Sequence, residues 1–102
     1  MVKVGLVVKL VAKKGSEQEV ASFLSGAAPL AEAEDFTPAW FALRASESVF
    51  YIVDAFADDT GRQKHLSGRI AAALMANASR LLAEPPSIEK VDVLGVKLPG
   101  GP

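Results

Sequence analysis

The chain holds a single histidine, His65, the residue type best suited to proton chemistry at neutral pH. An imidazole there can serve as a general base or pass a proton on. It lies early in a helical stretch, Gly61-Arg62-Gln63-Lys64-His65-Leu66, where the plainer reading is a solvated residue beside Lys64. Eleven residues before it, Asp54 is the only acid inside the apolar run Phe50 to Phe56. A carboxylate in such a run either meets water at a strand end or is buried with a partner. Asp54 and His65 could meet across the turn into the helix. That pairing would orient the imidazole and raise its pKa. The alternative for Asp54 is a strand-end or cap-supporting role.

Other side chains invite weaker readings. Trp40 and Arg44 are four apart in one strand and so share a face. The arginine could bind an anion or stack on an aromatic ligand, or be a solvated edge residue beside a core or interface tryptophan. Tyr51, the only tyrosine, could donate to a ligand or anchor an interface. Arg62 and Arg69 flank His65, and solvated charge accounts for both. Asn77 falls on an apolar helical stripe as a satisfied amide. There are no cysteines, which removes thiolate metal sites and Cys nucleophiles together. One histidine and no close carboxylate cluster give no metal site. No P-loop or G-x-G-x-x-G motif is present, and no serine sits in a nucleophile elbow. No cofactor is implied.

The elements that must position these residues follow from the pattern. With 102 residues, 50% of them hydrophobic, the chain makes one domain, 1–98, with a flexible tail at 99–102. Eleven Lys and Arg against twelve Asp and Glu give a net charge of −1, without the basic surplus of a nucleic-acid binder. No apolar run is long enough to span a membrane and no leader peptide is evident, so the expectation is a cytoplasmic protein. Val2 to Lys13 alternates with period two and reads as a strand. Ser16-Glu17-Gln18-Glu19 fits a capping box, and the helix it opens should end or kink at Pro29, with a further helical turn open to Ala31–Glu34. Thr37 to Ala45 and Ser48 to Phe56 read as a hairpin of strands joined at Ser46-Glu47. Asp58 to Gly61 offers a helix cap, followed by a short helix, a break at Ser67-Gly68 and a longer helix. Ile88 to Leu98 reads as the last strand. The order β-α-β-β-α-β is the ferredoxin-like pattern, an α+β fold with a four-stranded antiparallel sheet and both helices on one face.

The second face of that sheet should be polar in a lone domain. Here both parities are apolar: Phe50, Ile52 and Phe56 on one, Val49, Tyr51, Val53 and Ala55 on the other, with Val7 and Val11 in the first strand. At ~25 cal/mol per Å2, burying about 400 Å2 of such surface is worth up to about 10 kcal/mol. A two-fold partner laying its own sheet on this one is the simplest cover. The alternative is a greasy monomer shielded by lysines.

Tyr51-Ile52-Val53-Asp54-Ala55-Phe56 followed by Asp58-Asp59-Thr60-Gly61-Arg62-Gln63-Lys64-His65-Leu66 resembles the antibiotic biosynthesis monooxygenase family of dimeric α/β-barrel proteins. In that family a strand ending in an acidic-x-aromatic step runs into a helix carrying histidine. The resemblance covers nearly the whole length. It implies a homodimer packed sheet to sheet, with a pocket between sheet and helices in each protomer. It also implies oxidation of a small aromatic or quinol substrate by O2 without metal or flavin. On this chain His65 would be the base or proton relay and Asp54 its orienter. Phe56 and Trp40 would wall the pocket, and Tyr51 and Arg69 would complete the substrate contacts. The first strand has no Asn and position 56 is Phe, which departs from haem-degrading members. The alternative is a non-catalytic dimeric barrel that binds a small apolar ligand or serves in stress response. A third reading is an interaction module with a filled core. A cavity of roughly 300 Å3 or more lined by Asp54 and His65 would favour the enzyme, whereas filling by Phe23, Trp40, Leu66 and Leu74 would disfavour it.

Overall fold

The computed structural model describes residues 1–99; the rest of the expected tail, 100–102, lies outside the described residues. Strand β1 (Val4–Val11) is followed by helix α1 (Glu17–Glu32), strands β2 (Ala39–Arg44) and β3 (Val49–Phe56), helices α2 (Asp59–Leu66) and α3 (Arg69–Leu81), and strand β4 (Ser87–Asp92). The four strands form one antiparallel sheet in the order β2-β3-β1-β4. This is the ferredoxin-like α+β architecture that the alternation of elements predicts.

Strand parity decides which side chains meet the helices. In β1 and β3 the even positions pair across the sheet: Leu6 with Asp54, Val8 with Ile52, Leu10 with Phe50. All six are buried. Val8, Leu10, Phe50 and Ile52 pack with Val20 and Leu24 of α1 and Leu74 and Leu81 of α3 into the main core. The odd positions pair on the other face: Val7 with Val53, Val11 with Val49, Lys9 with Tyr51. Strand β2 adds Phe41 and Leu43 to that second face, opposite Val53 and Tyr51 and about half exposed. Among the described residues no helix packs on this side, and with these residues the sheet is apolar on both faces.

Several local expectations are corrected. Ser16 is the N-cap of α1, but its side chain makes no capping bond. Instead Glu17 Oε1 accepts from the Gly15 amide at 2.8 Å, and Gly15 holds φ +93°, a left-handed value open to glycine. Pro29 neither ends nor interrupts α1, which runs on to Glu32. The amide that proline lacks would have bonded the carbonyl of Ser25, an exposed residue of the helix. Strand β2 is shorter than Thr37–Ala45. Strand β4 stops at Asp92 rather than Leu98, because its partner β1 begins at Val4, opposite Asp92. One more bond, from Val93 N to Lys3 O, closes the ladder at 2.8 Å. Beyond it Leu94 is fully exposed. The cap at Asp58 forms as expected, its Oδ1 accepting from Gly61 N at 3.0 Å, and the break between α2 and α3 falls at Ser67-Gly68. No helix of the described residues is long and apolar enough to cross a membrane.

Candidate functional site

Strand β3 points Asp54 toward the helices because it shares the even parity of Phe50, Ile52 and Phe56. The turn Ala57-Asp58 then feeds α2, whose buried residue is His65. The two side chains meet: His65 Nε2 stands 3.1 Å from Asp54 Oδ2. That is an ion-pair distance, but the approach is off-line for a hydrogen bond, so both Asp54 carboxyl oxygens are buried without a well-aligned donor. The other ring nitrogen has the better bond. His65 Nδ1 lies 2.7 Å from Glu34 Oε1. Thr37 Oγ1 donates to the same Glu34 oxygen at 2.8 Å. Asp54 and His65 are 3% and 5% exposed. The Phe56 ring, fully buried, lies 5.3 Å from the imidazole and tilted by 43°.

The imidazole is thus held between two carboxylates. Burial alone pushes its pKa down, but hydrogen bonding and charge attraction from Asp54 and Glu34 outweigh that, and the net effect raises it above the ordinary 6.5. The protonated ring can serve both acids at once, Nδ1–H to Glu34 and Nε2–H toward Asp54. The carboxylates lie on opposite edges of the ring, so they do not converge on one point. Among the described residues no group of three His, Asp or Glu side chains could hold a metal ion.

Glu34 and Thr37 were absent from the residues singled out above. Both sit in the link between α1 and β2, Glu34 within the acidic run Glu32 to Asp35 and Thr37 just after it. One signal was available: the buried positions Val20, Leu24, Ala27 and Ala31 recur at fours and threes, and Glu34 is the next step of that stripe. An end or kink at Pro29, with a separate turn over Ala31–Glu34, breaks the phase of that stripe and hides it.

The remaining candidates scatter. Trp40 faces the helices, directly opposite Asp54, and packs against both core clusters. Tyr51 lies on the opposite face of the sheet and is therefore away from His65. Arg69 is exposed at the start of α3. Arg44 is engaged in the hairpin, bonding the carbonyls of Ser46 and Glu47, and lies 5.0 Å above the Phe50 ring. Arg62 is not a solvated charge. Its side chain is 12% exposed, pairs with Asp59 at 2.9 Å, and bonds the carbonyls of Gly5 and Val91 at 3.2 and 3.3 Å. It therefore ties α2 to the edge where β1 meets β4. The guanidinium also holds the Asp59 carboxyl below its ordinary range.

Three clefts of the described residues bear on the site. One of about 290 Å3 lies between α1 and α3, lined by Phe23, Gly26, Ala27, Leu30, Ile70 and Ala73 with Ser22 at its side. Another of about 480 Å3 lies beside Met75 and Pro85-Pro86, and one of about 220 Å3 beside Ala42 and Phe50. None of these three is lined by Asp54 or His65.

No protein-family model and no curated protein matches the chain. Solved structures do. An antibiotic biosynthesis monooxygenase is 10% identical, with 90% of this chain and 99% of that one covered and a TM-score of 0.78. A conserved protein of unknown function from Bacteroides thetaiotaomicron, described as a possible oxidoreductase, is 13% identical, with 90% and 98% covered and a TM-score of 0.76. At such identities the likeness is one of fold. A protein of unknown function from Nitrosomonas europaea is 58% identical, with 99% of this chain and 98% of that one covered and a TM-score of 0.96. The chain belongs to the same family as this Nitrosomonas europaea protein, on a ferredoxin-like fold shared with antibiotic biosynthesis monooxygenases.

Proposed function

We propose that the chain is a cofactor-independent monooxygenase of the antibiotic biosynthesis type, acting on a small aromatic or quinol substrate with O2. The observation that carries this reading is the buried imidazole between Asp54 and Glu34. A carboxylate on each ring nitrogen makes the imidazole more basic, and the imidazolium it becomes offsets the charge of a substrate anion. His65 is the base or proton relay, Asp54 and Glu34 fix its orientation, and Phe56 walls one side. An electron-rich phenolate can then give electrons to O2 directly. For hydroquinone, one oxygen atom enters the ring, giving a hydroxyquinone, and the other leaves as water. The substrate supplies all the electrons, so no outside reductant is required. Distant fold neighbours named monooxygenase or possible oxidoreductase agree with this class.

The working unit in this proposal is a homodimer, with the uncovered sheet faces of two copies packed together. Phe41, Leu43, Tyr51 and Val53 support it, being apolar and on the side no helix covers.

The test is oxygen uptake over a panel of hydroquinones, comparing wild type with His65→Ala. The expected result is uptake by the wild type that falls by roughly a hundredfold or more in the variant. Equal rates remove His65 from the chemistry. A second reading, a non-catalytic barrel that binds an apolar ligand, is favoured by one observation: the apolar α1–α3 cleft lies apart from Asp54 and His65. It predicts ligand binding with no oxygen uptake by either protein.

A further inference from the structure

Among the described residues, two buried polar groups on the helix side of the sheet lack an aligned hydrogen bond. One is the indole Nε1 of Trp40; the other is the carboxylate of Asp54, whose Oδ2 has only the off-line imidazole of His65 at 3.1 Å. Such groups cost free energy unless something answers them. They are not independent orphans. Trp40 and Asp54 are directly opposed in the β2–β3 register and face the same side. Side chains so placed start about 5 Å apart at Cβ, close enough to act on one guest. One group is a donor only and the other, when ionised, an acceptor only. A hydroxyl is the simplest group that satisfies both, accepting from the indole and donating to the carboxylate.

The surroundings supply an approach. Trp40 packs against the cluster of Ala27, Ala31 and Ile70. Two of these, Ala27 and Ile70, also line the α1–α3 cleft. Trp40 thus touches the residues that line the cleft on one side and is paired in register with Asp54 on the other. A guest reaching this place from the cleft would pass apolar walls before meeting the donor and the acceptor.

We propose that Trp40 Nε1 and the Asp54 carboxylate form a hydroxyl-binding clamp, which takes the phenolic hydroxyl of a flat aromatic alcohol entering through the α1–α3 cleft. This rests on the substrate class of the proposed function and adds the residues that read the hydroxyl. Trp40 becomes a specificity-determining donor rather than an inert wall. Asp54 receives the hydroxyl's hydrogen bond, with His65 behind it as relay.

Trp40 is the chain's only tryptophan, so one indole N–H resonance in a proton–nitrogen correlation spectrum reports on the clamp. The full chain is titrated under nitrogen with hydroquinone and, separately, with 1,4-dimethoxybenzene, which keeps the ring but cannot donate. The expected result is a saturable shift with hydroquinone and none, or one at roughly tenfold higher concentration, with the ether. Asp54→Asn should weaken hydroquinone binding by about tenfold. Should that variant fail to fold, Trp40→Phe, followed by calorimetry, should weaken hydroquinone binding by a similar factor while leaving the ether unchanged. Equal shifts with both compounds would overturn the clamp, since the indole would then be sensing only an apolar ring. A resonance that neither compound moves would overturn it too, leaving the pair to an internal water. Oxygen uptake separates this from the wider reading. Uptake without an indole shift sinks the clamp and leaves the activity standing; a shift without uptake does the reverse.

Discussion

His65 is the residue on which opposing forces meet, and its titration shows which one prevails. Burial disfavours the imidazolium, while the carboxylates of Asp54 and Glu34 favour it and win. The folded chain therefore holds the ring proton more tightly than the unfolded chain does. The resulting stability is fully present below about pH 6.5 and is lost as pH rises through the folded-state value. His65→Gln should thus cost most at about pH 6 and progressively less toward pH 9, as read by denaturant midpoints. A cost that does not change with pH would contradict the pairing. Glu34→Gln should bring the His65 titration closer to its ordinary value, and the single histidine makes that titration readable from one ring proton. The Asp54–His65 pairing was legible because an acid inside an apolar strand needs a partner. Glu34 was not, because it reaches His65 from a link 31 residues earlier, and its position on the α1 stripe shows only if the helix is read through Pro29.

At the scale of elements, the site is set by how closely β1 and β3 run. A Cβ on Gly5 would come within 2.4 Å of the Asp54 carbonyl oxygen. Only a residue without a side chain lets β1 pass there. Gly5→Ala should force the strands apart beside Asp54, destabilising the fold by about 1–3 kcal/mol and displacing the His65 titration. An alanine variant with wild-type stability and an unmoved titration would count against that packing. The alternation of β1 and β3 was legible, since period two with one wholly apolar parity leaves few choices. The capping bond of Ser16 was not, because Glu17 takes the Gly15 amide and a different local bond wins. Nor was the end of β4. Its residues remain apolar to Leu98, but strand length is fixed by the partner, and β1 offers nothing beyond Val4. Arg62 was misread for a similar reason: its acceptors are carbonyls on two strands distant in the sequence.

For the whole molecule, the sheet divides the labour. Helices α1, α2 and α3 close one face over Asp54 and His65; the other presents Phe41, Leu43, Tyr51 and Val53. If a second copy closes that face, Phe41→Lys should convert a species of about twice 10.7 kDa into one of 10.7 kDa in sedimentation equilibrium, with the secondary structure kept. A wild type that sediments as a single chain at all concentrations would contradict the proposed assembly. The central claim is that this fold uses substrate electrons to split O2 between product and water. Its most direct test is turnover of hydroquinone under heavy-oxygen gas, with mass analysis of the product. The account predicts one labelled oxygen atom in the hydroxyquinone, and its loss with His65→Ala. Unlabelled product, or turnover no faster than in buffer alone, would contradict it.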